Sequence, residues 1–269
     1  MSKLNEPAYL RSQQYRTPAN LNARQRLNML FSTSPVSWFA WVFEQIDFAP
    51  GGWVLELGCG PGDLWQENLT RLPPDASIVL SDFSAGMLER TAQNLPEKPF
   101  YFTCLDAGHI PFPENWFNTV IANHMLYHLP DLEGGLMEIR RVLKPGGKLY
   151  AATNSERSNQ EIEALSIRFD PAQASSWQHI RLSFTLESGA ATLAREFEDI
   201  TCIRLSNTLE VTKAAPLADY ILSMSSLSIP GEKKEELTHF IEQEIARQGG
   251  TFHITKDPGI FIASKPSVS

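Results

Sequence analysis

The sequence has few cysteines and no long apolar run. Its three cysteines, Cys59, Cys104 and Cys202, are widely spaced and form no CxxC pair, which argues against a disulfide framework and a zinc site. The longest weakly polar run, Phe31 to Phe43, contains serine and proline and is too short to cross about 30 Å of hydrocarbon. The N-terminal stretch lacks the apolar core of a secretory signal. We therefore expect a cytoplasmic protein without a bound metal, a transmembrane segment or an export signal.

Positive charge is also scarce. The chain has 23 basic and 31 acidic residues, and its net charge of -8 repels nucleic acid and anionic lipid at long range. The one basic cluster, Arg140, Arg141, Lys144 and Lys148, lies at the end of a predicted helix, where basic side chains usually complement the helix dipole in solvent. We expect neither nucleic acid nor a membrane as a partner.

The middle of the chain has the pattern of an α/β fold. From about Gly52 to Asn154, short apolar runs alternate with helix-length segments, which predicts a doubly wound parallel sheet flanked by helices. The predicted strands are WVLEL, SIVLSD, YFTCL, NTVIAN and GKLYAAT, and the predicted helices are Asp63 to Arg71, Ser84 to Leu95 and Leu132 to Leu143.

Helical additions are predicted on both sides of this core. Residues 1–46 form an N-terminal helical arm, and residues 47–269 form the main domain, with cap segments at about 155–183 and 209–250. The aromatic residues of the arm, Trp38 to Phe43, either pack against the sheet or form a ligand box, and packing is the favoured interpretation. Gly250 to Lys265 predicts a closing strand pair or one long strand, with AspProGly at 257–259 as the turn.

A glycine-rich segment follows the first predicted strand. ValLeuGluLeuGlyCysGlyProGlyAsp, at 54–63, has glycines at alternate positions between a strand and a helix, and glycine suits a backbone that approaches a ligand closely. A dinucleotide fold prefers GxGxxG, and no GlyLysSer or GlyLysThr follows to make a phosphate-binding P-loop. Glu56 beside the loop favours a ligand with positive charge over a diphosphate. S-adenosylmethionine is such a ligand.

Acidic residues end the next two predicted strands. Asp82 lies twenty residues after Gly62, where its carboxylate can accept two hydrogen bonds from a ribose diol. The alternative role for Asp82 is a cap for the helix that starts at Ser84, and the spacing from the glycine loop favours the ribose. Asp106 follows the third strand, where it can accept from an adenine amino group while the Ala107 amide serves a ring nitrogen. Acids at successive strand ends predict one ligand crevice.

These motifs resemble the core of the class I S-adenosylmethionine-dependent methyltransferases, in the small-molecule branch that includes the ubiquinone and menaquinone type enzymes. The matching segments are GluLeuGlyCysGlyProGly, SerAspPheSerAlaGlyMetLeu, LeuAspAlaGlyHisIleProPhe and ArgArgValLeuLysProGlyGlyLysLeu. The resemblance covers residues 52–154 and implies a Rossmann-like sheet of seven strands, mostly parallel, with an antiparallel last strand and a helical substrate cap. The cofactor contacts it implies are Glu56, Gly58, Cys59, Gly60, Asp82, Phe83, Met87, Asp106, Ala107 and Asn123.

The chain also departs from two branches of this family. It has no AsnProProTyr signature after the fourth strand, which puts amino groups of nucleic acid or protein in doubt as acceptors. It lacks the cysteine set expected of an arsenite methyltransferase. A small-molecule acceptor is therefore expected, bound by a monomer or homodimer.

The segment AsnHisMetLeuTyrHisLeuPro, at 123–130, leaves the fourth strand at the edge of the sheet where open α/β folds bind ligands. Methyl transfer requires collinear donor and acceptor atoms, exclusion of water and, for some acceptors, removal of a proton. His124 and His128 are the candidate bases, although His128 fits equally well as a packed residue at a helix start. Candidate contacts with the acceptor are Tyr15, His124, Trp177 and Tyr220.

The predicted activity is transfer of a methyl group from S-adenosylmethionine to an oxygen, nitrogen or carbon of a small molecule. Two alternatives remain. A noncatalytic module that binds S-adenosylmethionine would share the glycine loop and the strand-end acids. A nicotinamide-dependent oxidoreductase is disfavoured by GxGxG in place of GxGxxG.

Overall fold

The computed structural model describes residues 19–267 except 98, 179, 181, 225, 226 and 228. The chain divides into two compact units. The sheet unit contains Val36–Ser155, Ser183–Arg204 and Gly259–Ser269, and the second unit contains Met1–Pro35, Glu156–Leu182 and Leu205–Pro258. The boundary at Pro35 differs from the predicted end of the arm at residue 46, because the second helix of the arm belongs to the sheet unit.

The described part of the sheet unit contains seven strands. They are β1 (Trp53–Leu57), β2 (Ser77–Asp82), β3 (Phe100–Cys104), β4 (Phe117–Asn123), β5 (Leu143–Asn154), β6 (Glu198–Arg204) and β9 (Pro258–Ser264). They form one sheet in the order β3-β2-β1-β4-β5-β9-β6. Strands β1 to β5 pair in parallel, and β9 is antiparallel to β6. The predicted Rossmann-like sheet of seven strands is therefore confirmed.

Capping side chains set the starts of several helices in this unit. Ser37, Ser84 and Asp131 each accept a hydrogen bond from a backbone N–H of the first helical turn. The helices are α2 (Trp38–Gln45), α3 (Asp63–Asn68), α4 (Ala85–Asn94), α5 (Leu132–Val142) and α8 (Gly189–Leu193). The apolar spacing from about Leu186 to Phe197 predicts a longer helix than α8, which ends at Leu193.

The second unit has its own hydrophobic core, built from Leu27, Ile162, Leu217, Ile241 and Ile254 among others. Its helices are α1 (Ala19–Phe31), α6 (Gln160–Phe169), α7 (Gln173–Gln178), α9 (Ala214–Ser223) and α10 (Lys234–Arg247). Two antiparallel strands, β7 (Asn207–Val211) and β8 (Phe252–Lys256), complete it. Strand β7 falls at the start of the predicted cap segment 209–250 and was not recognised from the sequence.

The prediction of a closing strand pair at Gly250 to Lys265 is wrong. Strand β8 pairs with β7, whereas β9 joins the sheet of seven strands. Only Asp257 separates β8 from β9, which is too short for a two-residue hairpin turn. Pro258 cannot donate to a ladder and is tolerated as the first residue of β9. AspProGly therefore passes the chain from one sheet to the other.

No helix in the described ranges has both the length and the apolar character needed to span a membrane.

Candidate active site

The glycine loop joins β1 to α3 at the carboxyl edge of the parallel strands. Gly58, Gly60 and Gly62 have φ angles of 68°, 55° and 86°, all in the region that favours glycine. A Cβ on Gly58 would lie 3.0 Å from the Met125 Cβ, and one on Gly62 would lie 2.8 Å from Thr91 Cγ2. The sequence can adopt this tight loop because these positions carry no side chain.

Hydrogen bonds hold the loop against the end of β2. Cys59 N–H donates to the Ser81 carbonyl at 2.9 Å, and Gly60 N–H donates to Asp82 Oδ2 at 3.0 Å. The Thr91 hydroxyl, on α4, donates to the Gly60 carbonyl. The loop is therefore fixed from both β2 and α4 before any ligand binds.

Asp82 is half-buried at the end of β2, and burial raises its pKa. Its Oδ1 accepts the Ser84 N–H at 2.8 Å, so each carboxylate oxygen already accepts one backbone N–H. The side chain of Ser84, rather than Asp82, caps α4 by accepting the Met87 N–H. Each oxygen of Asp82 retains a lone pair, so the carboxylate can still accept from two hydroxyl groups.

Glu56 lies in β1 behind the loop and is only 2% exposed. Its Oε2 accepts a hydrogen bond from the indole N–H of Trp65 at 2.5 Å. Burial raises the pKa of Glu56 to about 8, the Trp65 hydrogen bond opposes this shift, and nearby Asp82 and Asp63 add to it. At neutral pH the side chain is therefore mostly protonated, which disfavours the negative charge expected from the sequence. The role of Glu56 as a cofactor contact stays a prediction.

Asp106 and Ala107 follow β3 at the same edge of the sheet. Asp106 is exposed, and its Oδ1 accepts the Gly108 N–H at 2.8 Å, which holds the carboxylate in a tight turn. Ala107 is buried beside it. Asp82 is paired with Cys104 in the sheet. Asp106 therefore lies two residues beyond the residue that is adjacent to Asp82.

Asn123 and His124 lie at the end of β4, and both are half-buried. The Asn123 Oδ1 accepts a hydrogen bond from the indole N–H of Trp38 at 3.1 Å. The ring of Trp38 also contacts the His124 ring, with centroids 4.9 Å apart and an interplanar angle of 39°. His124 has φ of 56° and donates its backbone N–H to the Ala152 carbonyl at 3.1 Å.

His128 lies in the short 3₁₀ turn Leu126–His128 that follows. Its backbone N–H donates to the Met125 carbonyl, and its ring packs on Tyr127 with centroids 4.6 Å apart. These contacts are compatible with both proposed roles of His128, a packed residue and a general base.

The other predicted site residues are distributed as follows. Cys59 and Met87 are buried and Phe83 is half-buried, all near the glycine loop or the start of α4. Tyr220 and Trp177 both pack in the core of the second unit. Tyr15 lies outside the described residues. Within the described residues, no group of three or more His, Cys, Asp or Glu side chains is arranged to hold a metal ion.

Sequence reasoning missed three residues that shape the site. Trp38 was interpreted as core packing, yet it contacts both residues at the end of β4. Trp65 and Thr91 hold Glu56 and the glycine loop. A tryptophan two positions after GlyProGlyAsp is a weak signal for Trp65, and no local pattern links Trp38 to a strand 85 residues later.

Residues 55–151 match a family model described as a methyltransferase domain. The demethylmenaquinone methyltransferase of Symbiobacterium thermophilum is 34% identical over 126 residues, which cover 44% of this chain and 50% of that protein. The matched region thus spans about half the length of the curated relatives.

Proteins of known structure with the same fold catalyse different reactions. Phosphoethanolamine N-methyltransferase 2 of Haemonchus contortus, bound to phosphomonomethylethanolamine and S-adenosylhomocysteine, aligns with a TM-score of 0.62 at 16% identity over 97% of this chain and 60% of that one. The [4+2]-cyclase SpnF aligns with a TM-score of 0.58 at 16% identity over 95% of both chains. At such identities the similarity shows the fold alone. Residues 55–151 are thus similar to a methyltransferase domain, and this stretch carries the glycine loop and the acids at the strand ends.

Proposed function

We propose that the protein transfers a methyl group from S-adenosylmethionine to an oxygen, nitrogen or carbon of a small-molecule acceptor by in-line displacement. The observation that carries this proposal is the junction of the glycine loop with Asp82. There a backbone N–H of the loop and a carboxylate at the next strand end are held 3.0 Å apart. The family match of residues 55–151 supports the same reaction class.

The residues present fit an adenosyl ligand. The glycine loop takes positive φ at Gly58, Gly60 and Gly62, which gives the tight turn that a ligand-binding loop between a strand and a helix needs. Asp82 would accept from the ribose hydroxyls, and Asp106 would accept from the adenine amino group beside the Ala107 amide. Each of these carboxylates is already oriented by backbone N–H groups.

When bound, S-adenosylmethionine supplies a methyl group activated by the positive charge on sulfur. The residues of this chain orient the reactants and handle the proton. The glycine loop, Asp82 and Asp106 hold the ligand, so that the acceptor can approach along the line of the breaking bond. His124, directly after β4, accepts the proton where the acceptor must lose one, with His128 as the alternative base.

Acceptor recognition is proposed for the second unit. The predicted contacts Trp177 and Tyr220 both pack on the core of this unit, and the Lys256 ammonium lies 5.4 Å from the Tyr220 ring centroid. The indole Nε1 of Trp177 is buried and has no hydrogen-bond partner among the described residues. Buried polar atoms normally have partners, so this atom is a candidate donor to an acceptor molecule. The cap role of segments 155–183 and 209–250 stays a prediction.

A reducing compartment, the cytoplasm, is proposed as the location. The cysteines Cys59, Cys104 and Cys202 all lie in the described ranges, and no disulfide joins them. Cys104 and Cys202 are exposed, where an oxidising environment would attack them. Fractionation of the native cell tests this, and recovery of the protein outside the cytoplasm would contradict it.

Titration calorimetry tests the proposed function. S-adenosylmethionine and S-adenosylhomocysteine should bind, and NAD⁺ should not. Gly60→Val should abolish binding, because a branched side chain at positive φ would distort the loop. Gly249→Val is the matched control, since Gly249 also has positive φ but lies beyond α10 with nothing within 4 Å of its Cβ position. Tight NAD⁺ binding without S-adenosylhomocysteine binding would overturn the proposal.

A screen of metabolite extracts with S-adenosylmethionine carrying a labelled methyl group identifies the acceptor. Label should move into a small molecule in the presence of the protein. Binding of the cofactor without transfer to any extract would favour the noncatalytic binding module.

A further inference from the structure

Trp38 connects α2 to the residues that follow β4. Its indole N–H donates to Asn123 Oδ1 at 3.1 Å, and its ring contacts the His124 ring at a centroid distance of 4.9 Å. All three residues belong to the sheet unit. The Trp38 side chain thus contacts both Asn123, the predicted cofactor contact, and His124, the proposed base.

The hydrogen bond fixes which way the Asn123 amide points. An indole N–H can only donate, so it must face the carbonyl oxygen of the amide and not its nitrogen. The Asn123 NH₂ group, with two donors, is consequently directed away from Trp38. In this orientation Asn123 suits a ligand oxygen, such as a carboxylate, carbonyl or hydroxyl oxygen.

The contact with His124 restricts a residue whose backbone is unusual. A non-glycine residue with φ of 56° is uncommon, and such conformations persist where the surroundings hold them. The His124 N–H to Ala152 hydrogen bond holds the backbone, and the Trp38 ring lies against the imidazole. The direction of the imidazole is therefore set by α2 as well as by β4.

We propose that Trp38 is a positioning residue of the methyl-transfer site, which presents the Asn123 amide as a hydrogen-bond donor to a ligand oxygen and sets the orientation of the His124 ring. The proposal rests on the proposed function, because it assigns the ligand of Asn123 and the proton acceptor to that site. Trp38 acts through Asn123 and His124 and touches no reacting atom in this scheme.

Calorimetry with S-adenosylhomocysteine tests the first half of the proposal. Trp38→Phe keeps an aromatic ring and removes the N–H, so affinity should fall about 3- to 10-fold, the value of one neutral hydrogen bond. In an Asn123→Ala background the same change should cost nothing further, because the two residues act as a unit. Asn123→Asp keeps the oxygen that accepts from Trp38 but removes the donors, and should weaken binding at least as much.

Trp41→Phe is the matched control. Trp41 lies on the same helix and contacts the Trp38 ring at 5.3 Å, but it does not share the described contacts with Asn123 and His124. Its substitution should leave the affinity unchanged. Melting temperature is measured for every variant. If Trp38→Phe lowers the melting temperature while the affinity of the folded protein is unchanged, Trp38 only packs and the proposal is wrong.

Turnover with the acceptor from the labelled-methyl screen tests the second half. Trp38→Leu removes the ring as well as the N–H, so it should lower kcat about tenfold more than Trp38→Phe, with little change in the KM of the acceptor. In a His124→Asn background the two Trp38 variants should have equal kcat. Equal kcat of Trp38→Leu and Trp38→Phe in the wild-type background would overturn the His124 half.

Failure of the proposed function gives a different result. If the unsubstituted protein binds neither S-adenosylmethionine nor S-adenosylhomocysteine, the proposed function fails, and this inference fails with it. If the unsubstituted protein binds and Trp38→Phe binds equally well, only the positioning role of Trp38 is wrong.

Discussion

The glycine-loop side of the sheet unit and helices α7 and α10 of the second unit differ in how their buried polar atoms are paired. In the sheet unit Glu56 accepts from Trp65, and the hydroxyls of Thr91 and Thr153 donate to backbone carbonyls. In the second unit, as far as the structure describes it, three buried polar atoms have no hydrogen-bond partner. They are Gln173 Oε1, Trp177 Nε1 and Glu244 Oε2.

This difference affects how much each region depends on a ligand for its hydrogen bonds. A satisfied network around the glycine loop holds its geometry without a ligand, whereas an unpartnered buried atom costs stability until water or a ligand supplies the missing bond. Gln173 and Trp177 lie one turn apart on α7 and therefore on the same helix face. The side chains around the glycine loop are thus fixed by contacts within the sheet unit, whereas Gln173 and Trp177 keep hydrogen-bonding atoms that water or a ligand can use.

The largest expected effect comes from His124→Asn. This variant tests whether the sheet unit, at the end of β4, supplies the proton acceptor of the reaction. Asparagine tolerates the positive φ of His124 but cannot accept a proton at neutral pH. Turnover should fall about 10²- to 10⁴-fold, the usual contribution of a general base. Melting temperature and affinity for S-adenosylhomocysteine should be unchanged. Unchanged turnover would remove His124 from the mechanism and leave proximity alone to carry catalysis.

Glu56→Gln tests the buried pair of Glu56 and Trp65 through the pH dependence of the free energy of unfolding. Because the folded protein keeps the Glu56 proton up to a pKa of about 8, while the unfolded chain releases it near 4.5, stability is fully present below 4.5 and falls as pH rises toward 8. The loss amounts to at most about 5 kcal/mol. Glutamine keeps an oxygen for Trp65 and does not titrate, so its urea unfolding free energy should vary less between pH 5 and 8. Parallel profiles for the two proteins would contradict a protonated Glu56.

Asp82→Ala and Asp106→Ala compare two strand ends within the sheet unit. Loss of Asp82 should weaken S-adenosylhomocysteine binding by about 1.5–3 kcal/mol, the range for hydrogen bonds to a charged group. Loss of Asp106 should cost less, because its carboxylate is exposed and water can replace it. Calorimetry measures both. Equal and negligible effects would show that the strand-end assignment is wrong.

A matched pair of Trp→Phe variants tests the comparison directly and has the smallest expected effects. Trp65→Phe leaves Glu56 without its donor and should lower the free energy of unfolding by about 1–3 kcal/mol. Trp177→Phe removes a buried indole N–H that has no described partner, so it should leave the free energy of unfolding unchanged or raise it. Urea unfolding measures both variants. A loss at Trp177 as large as at Trp65 would show that the Trp177 N–H has a partner in the folded protein.

The sequence predicted the sheet unit better than the second unit for a physical reason. Most of the sheet unit is one continuous stretch, Val36–Ser155, whose strands and crossover helices follow one another along the chain. Their apolar runs, glycines and caps are local signals. The second unit is assembled from three separated stretches, and β7 pairs with a strand about 45 residues later. Such a pairing leaves no local signal, so β7 was missed and β8 was assigned to the wrong partner.

By itself, the sequence determined the parallel sheet, the glycine loop and the acids at the strand ends, because apolar runs, glycines between a strand and a helix, and acids directly after a strand are signals within short stretches of the chain. Only the tertiary structure decided that Glu56 is buried against Trp65 and that Trp38 contacts Asn123 and His124. It also decided that β8 and β9 enter different sheets. Burial, pKa and amide orientation depend on side chains that approach from distant segments, and no pattern along the chain records that approach.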